Sequence, residues 1–109
     1  MPGDTPGNKD LQAIADIDRN IHAPARLMIL AYLSAVGSAD FTFLLNQTGL
    51  TRGNLSSHLG KLEEVGYISV KREFVEKTPR SLIRISKEGQ AALESYRENM
   101  KEVIEKLLG

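Results

Sequence analysis

The amino-acid sequence predicts a mainly α-helical α+β fold with one β-hairpin late in the chain, and three observations carry that prediction. Up to Gly66, apolar residues recur at three- and four-residue steps, the spacing of helices that bury one face. Past Gly66 the period falls to two in two short runs, Tyr67 to Phe74 and Ser81 to Ile85, as expected of paired strands. From Lys87 onward the three-four spacing returns. With 109 residues, 41% of them hydrophobic and 26% charged, the chain fits one folded domain with a modest core.

Each element follows from local signals. Residues 1–8 hold two prolines and two glycines without apolar periodicity and read as a disordered tail, leaving 9–109 as a single domain. Leu11, Ile14, Ala15, Ile17 and Ile21 predict a short amphipathic helix over 9–20. Pro24 suits a first helical position and opens a second helix running to Val36. Leu27, Met28, Ile29, Leu30, Ala31 and Leu33 make that helix apolar around most of its circumference, as expected of the central core helix. Gly37-Ser38 closes it, and Asp40 caps a short third helix with Phe41, Leu44 and Leu45 on one face. In Thr48-Gly49-Leu50-Thr51, Gly49 supplies the left-handed residue that ends one helix and Thr51 the cap that starts the next. Two helices therefore meet across a tight turn.

The fourth helix runs from Arg52 to Val65 with Leu55, Leu59 and Leu62 in one stripe, and Gly66 ends it, completing a helical core over 24–66. The strands of 67–85 are expected to be joined by an extended polar loop, Val75 to Arg80, because it contains Pro79. Ser86 caps a last helix over 87–108, in which Leu93, Tyr96, Met100, Val103 or Ile104, and Leu107 follow the alternating spacing of a coiled-coil seam. So small a domain has little core for such a helix to cover. The seam predicts a homodimer, with Leu11, Ile14, Leu93, Tyr96, Met100, Val103, Ile104 and Leu107 as its dimerisation residues.

Several function classes lack the residues they require. The chain has no cysteine, which excludes disulfides, thiolate nucleophiles and cysteine zinc sites. His22 with Asp18 supplies at most two metal ligands, short of a tetrahedral set. There is no Gly-rich phosphate loop, no recognisable Ser-His-Asp arrangement and no paired carboxylates in a plausible cleft, so neither an enzyme nor a cofactor is expected. Without a signal peptide or a membrane-length apolar run, the expectation is a cytoplasmic protein with no membrane partner.

The element order, ending in a helix–tight turn–helix, a hairpin and a long helix, is that of a winged helix-turn-helix domain. In such a domain the second helix of the pair enters the DNA major groove. The stretch from Leu50 to Ile68, with Ser57-His58-Leu59, Leu62 and Gly66-Tyr67-Ile68, resembles the recognition-helix signature of the MarR and ArsR superfamilies of transcriptional regulators. His22 to Leu30 is similar to their opening core helix, and Ile85-Ser86-Lys87-Glu88-Gly89 resembles their junction after the wing. The resemblance implies a sequence-specific regulator that binds double-stranded DNA as a homodimer. Many MarR-like regulators also sense small ligands, which leaves room for an unidentified small-molecule effector.

The residues name a reading surface. Opposite the leucine stripe of the fourth helix lie Gly53, Asn54, Ser57, Gly60, Lys61 and Glu64. Asn pairs bidentately with adenine, Ser with several base edges, and Lys with guanine or phosphate. Glycine inside a helix costs roughly 1 kcal/mol relative to alanine, so Gly53 and Gly60 need a reason, such as close approach to a phosphate backbone or a neighbouring helix. His58 borders the apolar face, where packing or hydrogen bonding suits it better than base reading.

A net charge of zero, from 14 basic and 14 acidic residues, at first argues against a polyanionic partner. Its distribution reverses that: residues 1–50 carry −2, 51–87 carry +4 and 88–109 carry −2. Arg80, beside Pro79 at the expected loop tip, is the candidate for the minor groove, where narrow walls favour arginine. The DNA-binding set is thus Arg52, Gly53, Asn54, Ser57, Lys61, Lys77 and Arg80. Basic strand residues also protect sheet edges from aggregation. Together with Glu64 and Glu76, overall neutrality leaves a protein-interaction module without DNA binding as the alternative.

Overall fold

The thirteen residues Pro24–Val36 form the helix around which the rest is built, and its Ile29, Leu30 and Leu33 are fully buried. A computed structural model describes residues 8–108, so the tail expected over 1–8 lies, apart from Asn8, outside the described residues. In order, the elements are α1 (Asn8–Ala15), α2 (Pro24–Val36), β1 (Ser38–Asp40), α3 (Phe41–Thr48), α4 (Arg52–Glu64), β2 (Ile68–Val75), β3 (Thr78–Ile85) and α5 (Lys87–Val103). The last helix continues as a π-helical turn over Ile104–Leu108. The core joins α2 to Leu44 of α3, to Leu55, Leu59 and Leu62 of α4, and to Ala39, Ile68, Ile83 and Ile85 of the sheet. Among the described residues no helix is long and apolar enough to cross a membrane.

Four expectations need correction. The first helix ends at Ala15 rather than near Asn20. There the Asp18 carboxylate accepts from the Asn20 backbone N–H at 2.8 Å, a local turn that competes with helix. Secondly, Ser38–Asp40 is a strand, and the sheet has three antiparallel strands in the order β1-β3-β2. Thirdly, the hairpin loop is short: β2 and β3 pair from Ile68↔Ile85 to Val75↔Thr78, leaving only Glu76 and Lys77 in the turn. Both have positive φ, 51° and 68°, as a type I′ hairpin turn requires. Pro79 fits the strand because Phe74↔Pro79 lies one step from the closing pair, a position whose amide points away from β2, and β1 extends only as far as Leu82.

The fourth correction concerns the seam. Tyr96 and Val103 are buried within the chain itself, so they are covered without a second subunit. Tyr96 packs in the core with its hydroxyl 2.9 Å from His22 Nδ1. The other members divide: Leu93 and Met100 pack partly against the core, and Leu107 is half-buried. Leu11, Ile14 and Ile104 stand 51%, 46% and 51% exposed.

Where α5 leaves the sheet, the chain is tightly tied. The Ser86 hydroxyl donates to the Gly66 carbonyl at 2.5 Å and accepts from the Gly89 N–H at 2.9 Å, while the Ser86 N–H donates to the Tyr67 carbonyl. Gly89 is buried so closely that a Cβ would lie 2.1 Å from the Tyr67 carbonyl oxygen. The Tyr67 hydroxyl reaches the other way, donating to Asp18 Oδ2 at 2.5 Å. That hydrogen bond, reinforced by partial burial and by the negative charge of Asp18, pushes the Tyr67 phenol from 10.0 up to about 12.

Candidate nucleic-acid interface

Two caps set the helix pair. Asp40 Oδ1 accepts from the Phe43 N–H at 2.7 Å to start α3, and Gly49 closes it in the left-handed conformation at φ 69°. Two residues later the Thr51 hydroxyl accepts from the Asn54 N–H at 3.1 Å to start α4. Leu55, Leu59 and Leu62 then hold α4 against the core. Arg52, Gly53, Asn54, Ser57, Gly60, Lys61 and Glu64 all face outward and are exposed, as their angular positions predict. Among the described residues, nothing beyond the helix's own adjoining backbone lies within 4 Å of a Cβ built at Gly53 or Gly60. No neighbouring element therefore asks for glycine at either position.

The hairpin stands beside this helix. Alternation along β2 puts Ile68, Val70, Arg72 and Phe74 on one face, opposite Ile85, Ile83, Ser81 and Pro79 on β3. The inner half of this ladder joins the core. The outer half, Arg72 and Phe74, runs past it to line a cleft of about 400 Å³ with Phe41, Arg52 and Arg80. Arg52 and Arg80 are thus brought together, whereas Lys77 occupies the hairpin turn. Arg80 is not at the tip: it lies third in β3, with Nε 3.8 Å from Asp40 Oδ2.

Arg72 was not in the expected site, although strand alternation from Ile68 places it on the face directed toward α4. Its guanidinium lies 3.6 Å from Glu63 Oε1. Lys61 stands 3.9 Å from Glu64, and Lys71 3.7 Å from Glu73. These are long, surface ion pairs of small worth, which phosphate oxygens can replace. The Arg52 guanidinium carbon sits 5.8 Å from the Phe41 ring centroid, which steadies it at the start of α4. His58 accepts from Arg26 Nε at 3.2 Å on Nδ1, a hydrogen-bonding role within the chain. His22 meets Tyr96 while Asp18 meets Tyr67, and among the described residues no cluster of three His, Cys, Asp or Glu could hold a metal.

A capped helix pair with an exposed polar second helix and a flanking basic hairpin describes a DNA-reading head, and the model of the winged helix DNA-binding domain matches residues 25–104. The chain belongs to this family. This winged helix protein is 35% identical over 71 residues to an uncharacterized protein of Methanocaldococcus jannaschii, an alignment covering 65% of this chain and 77% of that one. A transcriptional regulator homologue from Pyrococcus horikoshii superposes with a TM-score of 0.81 at 27% identity, covering 91% and 97% of the two chains. BpsR of Bordetella bronchiseptica, whose DNA binding is regulated by 6-hydroxynicotinic acid, shares the fold at a TM-score of 0.67 and 13% identity, with 93% and 76% covered. Regulators of the MarR and ArsR families are also among its structural neighbours.

In this winged helix frame, α4 is the second helix of the helix–turn–helix pair and β2–β3 the wing. The signal for the cleft was present in the sequence as strand alternation, but it could be used only once the register and the short turn were known.

Proposed function

We propose that this chain is a homodimeric transcriptional regulator that binds double-stranded DNA sequence-specifically. The observation that carries the reading is the outer face of α4: polar, exposed and flanked by the basic wing. Asn54, Ser57 and Lys61 read base edges in the major groove, and Gly53 lets the helix approach closely. Arg52 and Arg80 take phosphates on either side of the cleft, and Lys77 reaches furthest along the groove from the turn.

The dimer reading is supported by an open apolar groove of about 700 Å³ between α2 and α5, lined by Leu27, Ala31, Leu93, Met100 and Ile104. The seam of a second copy would cover this groove, with Leu11 and Ile14 at its margin. Two-fold symmetry then places the recognition helices about one DNA turn, ~34 Å, apart on a pseudo-palindromic site. A small-molecule effector that alters DNA affinity, as 6-hydroxynicotinic acid does for BpsR, is compatible with this arrangement.

Titration against duplexes selected from a random pool tests the reading. Affinity should fall steeply with salt, and Lys77→Ala should reduce the log–log slope by about 1.8, the loss of one phosphate contact in each subunit of the dimer. Absent or salt-independent binding, with one protein partner captured instead, would point to an interaction module. Sedimentation at micromolar concentration should give twice the 12.0 kDa chain mass, and a 12.0 kDa species would remove the dimer.

A further inference from the structure

Phe74 is 75% exposed, the most exposed large hydrophobic side chain among the described residues, and it stands near the end of the wing. It is not a frayed position. Its neighbour across the ladder is Pro79, in the pair where two strands bring side chains closest. The two-residue turn that follows leaves the hairpin little freedom to bend away. The sequence thus places two rigid apolar groups side by side, outside the core and exposed.

The charge around them identifies the partner. The wing, residues 68–85, carries Lys71, Arg72, Lys77, Arg80 and Arg84 against only Glu73 and Glu76. Phe74 shares its strand face with Arg72, and both line the cleft together with Arg52 and Arg80. The cleft carries Arg52, Arg72 and Arg80 against Asp40 and Glu73, a net positive charge that favours a polyanion as the partner. A duplex offers both chemistries at once, phosphates for the arginines and stacked bases for the ring. Proteins that enter the minor groove use this combination, inserting Phe or Pro at a base step and kinking the helix.

We infer that Phe74, backed by Pro79, is an apolar wedge that enters the minor groove beside the recognition site and partly unstacks one base step. The inference rests on the DNA-binding reading and adds to it a bend and a preference. Flexible pyrimidine–purine steps unstack most readily, so the wing selects for such a step where it makes no base-edge hydrogen bond. Arg72 and Arg80 hold the phosphates that flank the opened step. Wedge and arginines therefore contribute through different physics, the first insensitive to salt and the second sensitive.

The test uses the full chain and the duplex that the wild type selects from a random pool, with a donor dye on one end and an acceptor on the other. Wild type should raise energy transfer by bending the duplex. Phe74→Ala should bind about tenfold more weakly, lose the bend and keep the wild-type salt slope, with an unchanged melting temperature because the ring packs against so little. Phe74→Leu should retain both affinity and bend. If wild type binds without bending, or Phe74→Ala bends the duplex as wild type does, the wedge is overturned while the DNA-binding reading stands. A wild type that binds no duplex overturns both.

Discussion

The junction before α5 and the outer face of α4 use the same residue for opposite reasons. At Gly89 the polypeptide is pressed against itself: a Cβ would meet the Tyr67 carbonyl oxygen at 2.1 Å and Ile85 Cγ1 at 2.9 Å. At Gly53 and Gly60 a Cβ would meet nothing among the described residues within 4 Å beyond the helix's own adjoining backbone. Folding accounts fully for the first glycine and leaves the other two unaccounted for, since a helix gains from alanine wherever space allows. The difference separates residues that serve the structure from residues kept for something outside it. In the proposed function that outside partner is DNA, to which a bare backbone can come closer than one carrying methyl groups.

Substitution at these glycines should divide accordingly. Gly89→Ala should be the most damaging, because the collision is with a backbone carbonyl that the Ser86 N–H also holds. A loss of about 3 kcal/mol is expected, the upper range of overpacking, read from urea denaturation at fixed protein concentration. Wild-type stability in that variant would mean that the junction is looser than its geometry indicates. Gly60→Ala should do the reverse, raising stability by roughly 1 kcal/mol while weakening DNA binding. Gly53→Ala should follow with a smaller gain, since it lies in the first turn of α4. A Gly60→Ala protein that is both more stable and equally tight on its selected duplex would show that this glycine does not serve DNA approach.

The same contrast explains how far the sequence could be read. Elements announced by local chemistry are where they were expected: Asp40, Thr51 and Ser86 each cap a helix, Gly49 is left-handed, and the leucine stripe of α4 is buried. Those signals act within a few residues. What depended on distant partners was hidden. Three residues of β1 are too few to display a period of two, and they are a strand only because β3 pairs with them. The hairpin turn carries Glu76 and Lys77 where Asn-Gly would advertise a type I′ turn, and Pro79 resembled a loop because its missing amide is harmless only in this register. The error moved Arg80 to the tip and concealed Phe74. The seam of α5 failed in part for a related reason: a three-four spacing marks a buried face without saying whose atoms bury it, and Tyr96 and Val103 are covered by their own chain.

The smallest predicted effect lies in the strap between these regions, where Tyr67 hydrogen-bonds Asp18. The phenol is neutral in the folded protein up to about pH 12, against 10.0 for a free tyrosine. Below pH 10 the folded and unfolded chains both hold the proton, and the bond contributes its full stability. As pH rises from 10 toward 12 the unfolded phenol ionises first, so unfolding is favoured and the contribution is lost. Tyr67→Phe removes both the hydrogen bond and the titration. Because the pair is partly exposed, the variant should lose less than about 1 kcal/mol below pH 10. The gap between variant and wild type should then narrow as pH approaches 12, while titrating lysines affect both proteins alike and cancel in the difference. No gap at any pH would mean that the ring's packing, which phenylalanine keeps, ties the start of the wing to the turn after α1, and a gap that stays constant to pH 12 would mean that the phenol titrates alike in the folded and unfolded chains.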